Sequence, residues 1–349
     1  MTQSAAVPLN VTEKRILGCL YGQATGDAMG MPSELWPKSR VRQHFGWINT
    51  FLPGPEENIA ANEFVAGEFT DDTSQCVALM DAIIEEHGAV VPQTIARHIM
   101  AWATRIKAFE KNILGPTSKA ALNAIHQGIP LDRIEANGVT NGSAMRVAPV
   151  GCLMPSYNTD RFIEQVRLSC LPTHKSDIAI AGAVVIARAV SLAVEGTDWS
   201  AIKQAVIPLA DTVQRRFEST FSPLLGRRIM YALNVVRGRT DEEQALTDLY
   251  EIVGAGMDNI ESIPCAIALA DLANTNPVRC AVLAANLGGD TDTIGAMATA
   301  ICGAIHGIDS FDADSIALIN HTNNIDFTPY ARRLAQFRQE YAATNRMMS

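Results

Sequence analysis

The chain has 349 residues, 48% hydrophobic and 19% charged, with a net charge of -9. This composition suits a globular protein with a sizeable core and excludes a disordered chain. The acidic balance leaves no basic stripe to neutralise a phosphate backbone, so no nucleic-acid partner is expected. Aromatic residues make up only 6%, while Ala and Gly (24 Gly) are abundant, which favours closely packed helices over an aromatic-rich sandwich.

In chain order, Met1 to Asn10 carries neither a basic segment nor a long apolar one, so no signal peptide is expected. Asn10 with Glu13 three residues later forms a capping-box pattern, and Ile16, Leu17, Leu20 and Ala24 follow as an apolar stripe with Asp27 near its end. Met31 to Phe69, holding Pro32, Pro37, Pro53, Gly54 and Pro55, reads as a long irregular stretch, and such loops are often functional. Helices are predicted over Ser74 to Glu86, Pro92 to Ala108 and Thr117 to Gln127, with a loop over Asn137 to Arg146.

The second half is more plainly helical. Helices are predicted over Asp160 to Cys170, Ser176 to Glu195, Trp199 to Phe217, Leu224 to Val236 and Glu242 to Val253. Three more follow over Ile263 to Ala273, Pro277 to Asn286 and Thr293 to Gly307. Thr328 as cap and Pro329 at the first position open the last helix. The most apolar segment, Ile178 to Val194, is interrupted by Arg188 and reads as a buried helix, so no membrane partner is expected. There is no strand alternation, no repeat and no Ser/Gly-rich linker. The expected architecture is one all-α, multi-helix domain over residues 10–345. The seven cysteines are odd in number and form no C-x-x-C pair, which argues against disulfides and structural zinc and for a reduced, cytoplasmic protein.

Two segments carry chemistry. Gly67-Glu68-Phe69-Thr70-Asp71-Asp72-Thr73 and Gly288-Gly289-Asp290-Thr291-Asp292-Thr293 each place two carboxylates and Thr hydroxyls at the start of an apolar helix. Helix capping accounts for either alone. If the two meet in space, however, like charges 4 Å apart repel by about 4 kcal/mol per pair at an effective dielectric near 20, and the cluster needs protons or cations. An oxygen-only ligand set selects Mg²⁺, Mn²⁺ or Ca²⁺, and its surplus of carboxylates suits two ions. Glu34 is a further candidate ligand, and Asp27, on an apolar helix face, reads as a hydrogen-bonded structural acid. The small-residue loop Thr140 to Arg146 could cradle a phosphate through its N–H groups, although an ordinary turn explains it equally. Thr173-His174-Lys175-Ser176-Asp177 precedes a long helix that Ser176 or Asp177 can cap.

Taken together and in this order, these elements resemble the ADP-ribosylglycohydrolase family, from about Ile16 to Gly307. Gly22 to Gly30 is similar to its G-x-x-x-G-D motif, followed by its glutamate at Glu34; Thr70-Asp71-Asp72 and Gly288 to Thr293 resemble its two metal motifs. Asn141 to Arg146 resembles its N-G-[GS]-A-M-R loop, and Thr173-His174 its Thr-His pair. The resemblance implies an all-α fold with two Mg²⁺ or Mn²⁺ ions in a central cleft, held by Thr70, Asp71, Asp72, Asp290, Asp292 and Thr293, with Glu34 as ligand or gate. It implies that Asn141, Gly142, Ser143, Met145 and His174 bind the substrate. Asp71, Asp292 and Glu34 are then the candidates for proton transfer during cleavage at the anomeric carbon of the ribose.

The implied activity is metal-dependent hydrolysis of the ribosyl bond in ADP-ribosylated proteins or small molecules. Alternatives are hydrolysis of a small N- or O-riboside such as a nucleoside, and a non-catalytic protein reusing the fold. One departure bears on the acceptor. Arginine-directed members carry an Asp just before a Gly-x-Thr element, whereas Asn112-Ile113-Leu114-Gly115-Pro116-Thr117 has no acid beside Gly115. Glu110 or Glu68 could supply that role from another direction.

Overall fold

A computed structural model describes residues 7–110 and 114–346. Asn10 caps α1 (Val11–Gly30) through the full capping box: Glu13 N donates to Asn10 Oδ1 and Asn10 N to the Glu13 carboxylate. The irregular stretch after it contains a 3-10 turn at Met31–Ser33 and one short α-helix, α2 (Lys38–Phe45), whose buried residues are only Lys38 and Val41. A single turn or two with so small a buried face leaves no readable periodicity.

The helices that follow are α3 (Asp71–Glu85), α4 (Pro92–Arg105), α5 (Pro116–His126), α6 (Ala148–Leu153), α7 (Thr159–Cys170) and α8 (Asp177–Val194). After them come α9 (Trp199–Arg216), α10 (Leu225–Val236), α11 (Glu242–Asp248), α12 (Asn259–Leu272), α13 (Pro277–Ala285), α14 (Thr291–His306), α15 (Ala313–Asn323) and α16 (Thr328–Arg346). Among the described residues only two isolated β-bridges interrupt the all-α character, Trp36 with Gly289 and Thr140 with Asp258. The predicted helix over Glu242 to Val253 breaks in two: α11 passes into a π-turn over Leu249–Val253 that ends at Gly254. Thr328 is the first residue of α16 rather than its cap, and its N–H is taken by Asp326.

The core runs continuously through the helices. Helix α8 is long and apolar enough to cross a membrane by length and composition, yet nearly all of it is packed inside the protein against α6, α9, α12 and α14. All seven cysteines are buried and unpaired.

The pairing that places the site is α1 against α14. Gly18, Gly22, Gly26 and Gly30 recur every fourth residue, on one face of α1. A Cβ at these positions would lie 2.3, 2.3, 2.1 and 2.4 Å from the carbonyl oxygens of Gly303, Thr299, Gly295 and Thr291. The opposed numbering makes the helices antiparallel, and the missing side chains let their backbones touch. Asp27, near the end of α1, is thereby brought to the beginning of α14.

Candidate active site

Both acidic motifs straddle a helix start. Helix α3 begins at Asp71, three residues before the predicted start, with Thr70 as its cap; α14 begins at Thr291, two residues early, with Asp290 at the cap position. Asp and Thr fit a first turn, where their oxygens face free N–H groups and the positive end of the helix. Capping is part of the explanation at α3, where Thr70 Oγ1 accepts from Asp72 N, whereas Asp290 makes no capping bond at α14, and neither case uses up the carboxylates.

Asp27 stands beneath both motifs. Its Oδ1 accepts from Thr70 N at 2.9 Å, and its Oδ2 from Thr73 N at 3.0 Å and Thr73 Oγ1 at 2.6 Å. Both oxygens are occupied by donors of α3, in keeping with a structural acid. Asp27, Asp72 and Asp292 each offer an oxygen within 4.8 Å of the others. Thr70 Oγ1 lies 3.1 Å from Asp72 Oδ2 and 3.3 Å from Asp292 Oδ2. The other oxygens of these two residues, Asp72 Oδ1 and Asp292 Oδ1, are buried with no hydrogen-bond partner among the described residues.

Burial raises every carboxyl of the group, and repulsion from acidic neighbours adds to it at Glu34, Asp71, Asp72 and Asp292. Burial pushes Asp27 up to about 6 against the bonds from Thr73 and Thr70. Asp71 is pushed to about 8 by burial and then by Asp27 and Asp290. Asp290 reaches about 6 through burial, opposed by the bond from Asn141. Asp72, Asp292 and Glu34 are driven well above the carboxylate range by burial first and by their acidic neighbours second. Orphaned buried oxygens within a mutually repelling, oxygen-only group fit a hard divalent cation.

Glu34 reaches the same place from its loop. Leu35 N donates to Gly289 O at 2.7 Å and Gly289 N to Trp36 O at 2.8 Å, which ties the loop to the second acidic motif. Gly289 has φ +80°, and a Cβ there would sit 2.1 Å from Ala255 O, so only glycine permits this junction. Asn58, buried and not singled out from sequence, donates to Pro32 O and Glu34 O and holds the loop from behind.

One cleft is lined by Glu34, Asp71, Asp72, Asp290, Asp292 and Thr293, facing Asn141, Gly142 and Met145. Thr140, Met257 and the first turn of α5 at Gly115, Pro116 and Ser118 complete its wall. The segment after the π-turn braces both sides, since Asp290 N donates to Ala255 O at 2.7 Å and Asn141 N to Met257 O at 2.9 Å. Ser143 and His174, expected to touch substrate, do not line the cleft. Ser143 is buried beneath the loop. His174 is fully buried behind Gly142, its Nδ1 2.8 Å from Thr173 Oγ1 and its Nε2 3.1 Å from Thr140 Oγ1. Burial, and then Arg146, hold its imidazole down at about 3, so it is a neutral brace. Of the segment compared with arginine-directed proteins, Leu114 is buried and Gly115 reaches the cleft; Asn112 and Ile113 lie outside the described residues. Glu68 lines an adjoining cavity with Phe69, Thr70, Asp71 and Trp102, on the far side of Asp71.

Residues 8–343 match the model of the ADP-ribosylglycohydrolase family. The chain is 57% identical over 330 residues to the protein YegU of Escherichia coli strain K12, covering 95% of this chain and 99% of that protein. It is 26% identical over 320 residues to the ADP-ribosylarginine hydrolase Tri1 of Pseudomonas putida strain GB-1, covering 89% of this chain and 76% of that one. A solved structure titled ADP-ribosylglycohydrolase-related protein complex has a TM-score of 0.69 at 22% identity, covering 95% of this chain and all of that one, and is similar in fold. With the match running through both acidic motifs and the loop that faces them, the chain belongs to the ADP-ribosylglycohydrolase family, hydrolases acting on ADP-ribose glycosidic bonds.

Proposed function

We propose that this chain hydrolyses the bond between the anomeric carbon of ADP-ribose and an acceptor on a protein or small molecule, and depends on two Mg²⁺ or Mn²⁺ ions. The observation that carries this reading is the convergence of Glu34, Asp71, Asp72, Asp290, Asp292 and Thr293 on the cleft that Asn141, Gly142 and Met145 also line. Thr70, Asp71, Asp72, Asp290, Asp292 and Thr293 would hold the ions, with Glu34 at the edge. Bound there, such ions neutralise the cluster and supply Lewis acidity beside the ribose.

The chain's own residues do the remaining work. The Asn141 to Met145 wall orients the ribose and diphosphate, and the start of α5 offers an anion the positive end of a helix dipole. Of the three candidates for proton transfer, Asp71 is tied back to Gln75 and Asp292 sits deep, whereas Glu34 is half-buried at the mouth on a loop. Burial, and then Asp292 and Asp71, raise its carboxyl and favour the form that carries a proton, and we assign the transfer to it.

The test is release of free ADP-ribose from ADP-ribosylated protein, with Mn²⁺ and with excess chelator. Release with the metal and none with chelator is expected, and Glu34→Gln should lower kcat while leaving the Mn²⁺-dependent rise in Tm intact. Release undiminished by chelator, or cleavage of free nucleosides with none of the conjugates, would overturn the reading.

A further inference from the structure

Gln75 lies one turn along α3 from Asp71 and is completely buried. Its Nε2 donates to Asp71 Oδ2 at 3.1 Å, and its Oε1 accepts from Arg146 Nη1 at 3.0 Å. Arg146 is itself 1% exposed. Its Nη1 also donates to Gly142 O at 3.1 Å, and its Nη2 to Thr173 Oγ1 at 2.7 Å and Ser169 O at 3.4 Å. From Thr173 the contacts continue through His174 to Thr140, on the opposite wall of the cleft.

A guanidinium has donors only, and a carboxylate that ligates a cation has acceptors only. Between them the carboxamide of Gln75 has one permitted orientation. Turned over, it would set donor against donor at Arg146 and acceptor against acceptor at Asp71. We infer that Gln75, oriented by Arg146, is a positioning residue for Asp71. It ties one Asp71 oxygen back into the helix, and so presents the other to the cleft at a fixed angle. Because the same guanidinium holds Gly142 O, the acidic side of the cleft and its small-residue wall are set by one buried cation. The inference rests on the proposed function only in taking Asp71 as a cation ligand.

The experiment compares Gln75→Glu and Gln75→Leu with the unsubstituted chain, after chelator treatment, by titrating Mn²⁺ alone and following Tm. Gln75→Glu keeps the volume and gives Arg146 a carboxylate, but puts an acceptor against Asp71. Removing a partner that orients a ligand typically weakens metal affinity about 10- to 100-fold, and the Mn²⁺ half-saturation of both variants should rise by at least tenfold. With saturating Mn²⁺, kcat should fall while KM for the conjugate stays within about twofold, which a loosened fold would not produce. In an Asp71→Asn background Gln75→Glu should change the Mn²⁺ half-saturation no further. Should Gln75→Leu fail to fold, the near-isosteric Gln75→Glu carries the measurement. A folded Gln75→Glu protein with the Mn²⁺ half-saturation of the unsubstituted chain, or one equally impaired in the Asp71→Asn background, would overturn the inference. Mn²⁺ binding with no release of ADP-ribose by the unsubstituted protein would instead count against the proposed function and leave the positioning role standing.

Discussion

Asn141 Nδ2 donates to Asp290 Oδ2 across 2.6 Å, a buried bond between residues 149 positions apart that closes the small-residue loop onto the second acidic motif. Because the amide supplies a proton to a carboxylate already raised by burial, its chemistry matters more than its shape. Asn141→Asp keeps the shape and sets acceptor against acceptor. The loss of a buried charge-assisted bond costs about 2–3 kcal/mol, so kcat/KM should fall by roughly a hundredfold. An Asn141→Asp protein retaining half the original kcat/KM would show that the loop and the motif act independently.

The contact of α1 with α14 gives a prediction on stability. Gly26→Ala puts a methyl group where Gly295 O lies 2.1 Å away, backbone against backbone, with no flexible side chain to yield. Overpacking of this kind costs about 1–3 kcal/mol. Tm should drop by several degrees in scanning calorimetry, and activity should fall further than the folded fraction does, because Asp27 and Asp292 move apart. An unchanged Tm would mean that the two backbones are not in contact.

Asp292→Asn addresses the cluster. It replaces a buried acid that its surroundings keep from ionising with a neutral amide of the same shape, so the metal-free protein should be as stable as the original chain or more stable, while the Mn²⁺-dependent rise in Tm and the activity are lost. Thermal melts in chelator and in Mn²⁺ check this directly. A large loss of stability in chelator would point to a structural role for Asp292 instead.

The raised carboxyls predict a pH dependence of the metal-free protein. Asp71 is held at about 8 in the folded protein and lies near 4 when unfolded, so in between only the folded state keeps the proton. Its contribution to stability is present at low pH and is lost as pH rises through about 8. His174 has the opposite sign: held at about 3 when folded, against about 6.5 unfolded, it stabilises above the unfolded value and loses that contribution as pH falls. The two oppose each other at acid pH, and between about 6.5 and 8 only the raised carboxyls remain, Asp71 together with Asp72, Asp292 and Glu34. Over that window Tm in chelator should fall with rising pH, and saturating Mn²⁺ should flatten the slope because ligation displaces the proton. A flat profile in chelator would contradict the clustering of Asp71 with its neighbours.

The acceptor side can be tested with substrates. Gly115 and Pro116 line the cleft, with Leu114 buried beside them, and none offers a carboxylate to a guanidinium. ADP-ribosyl-arginine should therefore be cleaved less efficiently than ADP-ribosyl-serine, by roughly a hundredfold for one missing charge-assisted contact. Comparison of kcat/KM on the two conjugates decides. If the arginine conjugate is the better substrate by tenfold, Glu68 in the adjoining cavity becomes the residue to replace.

Local physics made much of this protein legible from its sequence. The capping box at Asn10 and Glu13, the helical periodicity through the second half, and the pairing of Asp and Thr at the starts of α3 and α14 act within one or two turns. Each can be read from neighbouring residues alone. The carboxylates were marked as candidates by the order of the motifs and their resemblance to the family, not by local physics. What only the tertiary structure decided is which of these residues meet. Gly18, Gly22, Gly26 and Gly30 spell a helix face narrow enough for backbone contact, but nothing in their spacing identifies α14 as the partner that brings Asp27 beside Asp292. Ser143 and His174 belong to the right motifs and lie on the wrong side of the loop, because the path of the chain between Thr140 and Arg146, not residue type, determines which atoms face the cleft. The roles of Asn58, Gln75 and Arg146 were hidden for the same physical reason: a buried donor is defined by the acceptor that packing delivers to it, and those acceptors come from distant parts of the chain.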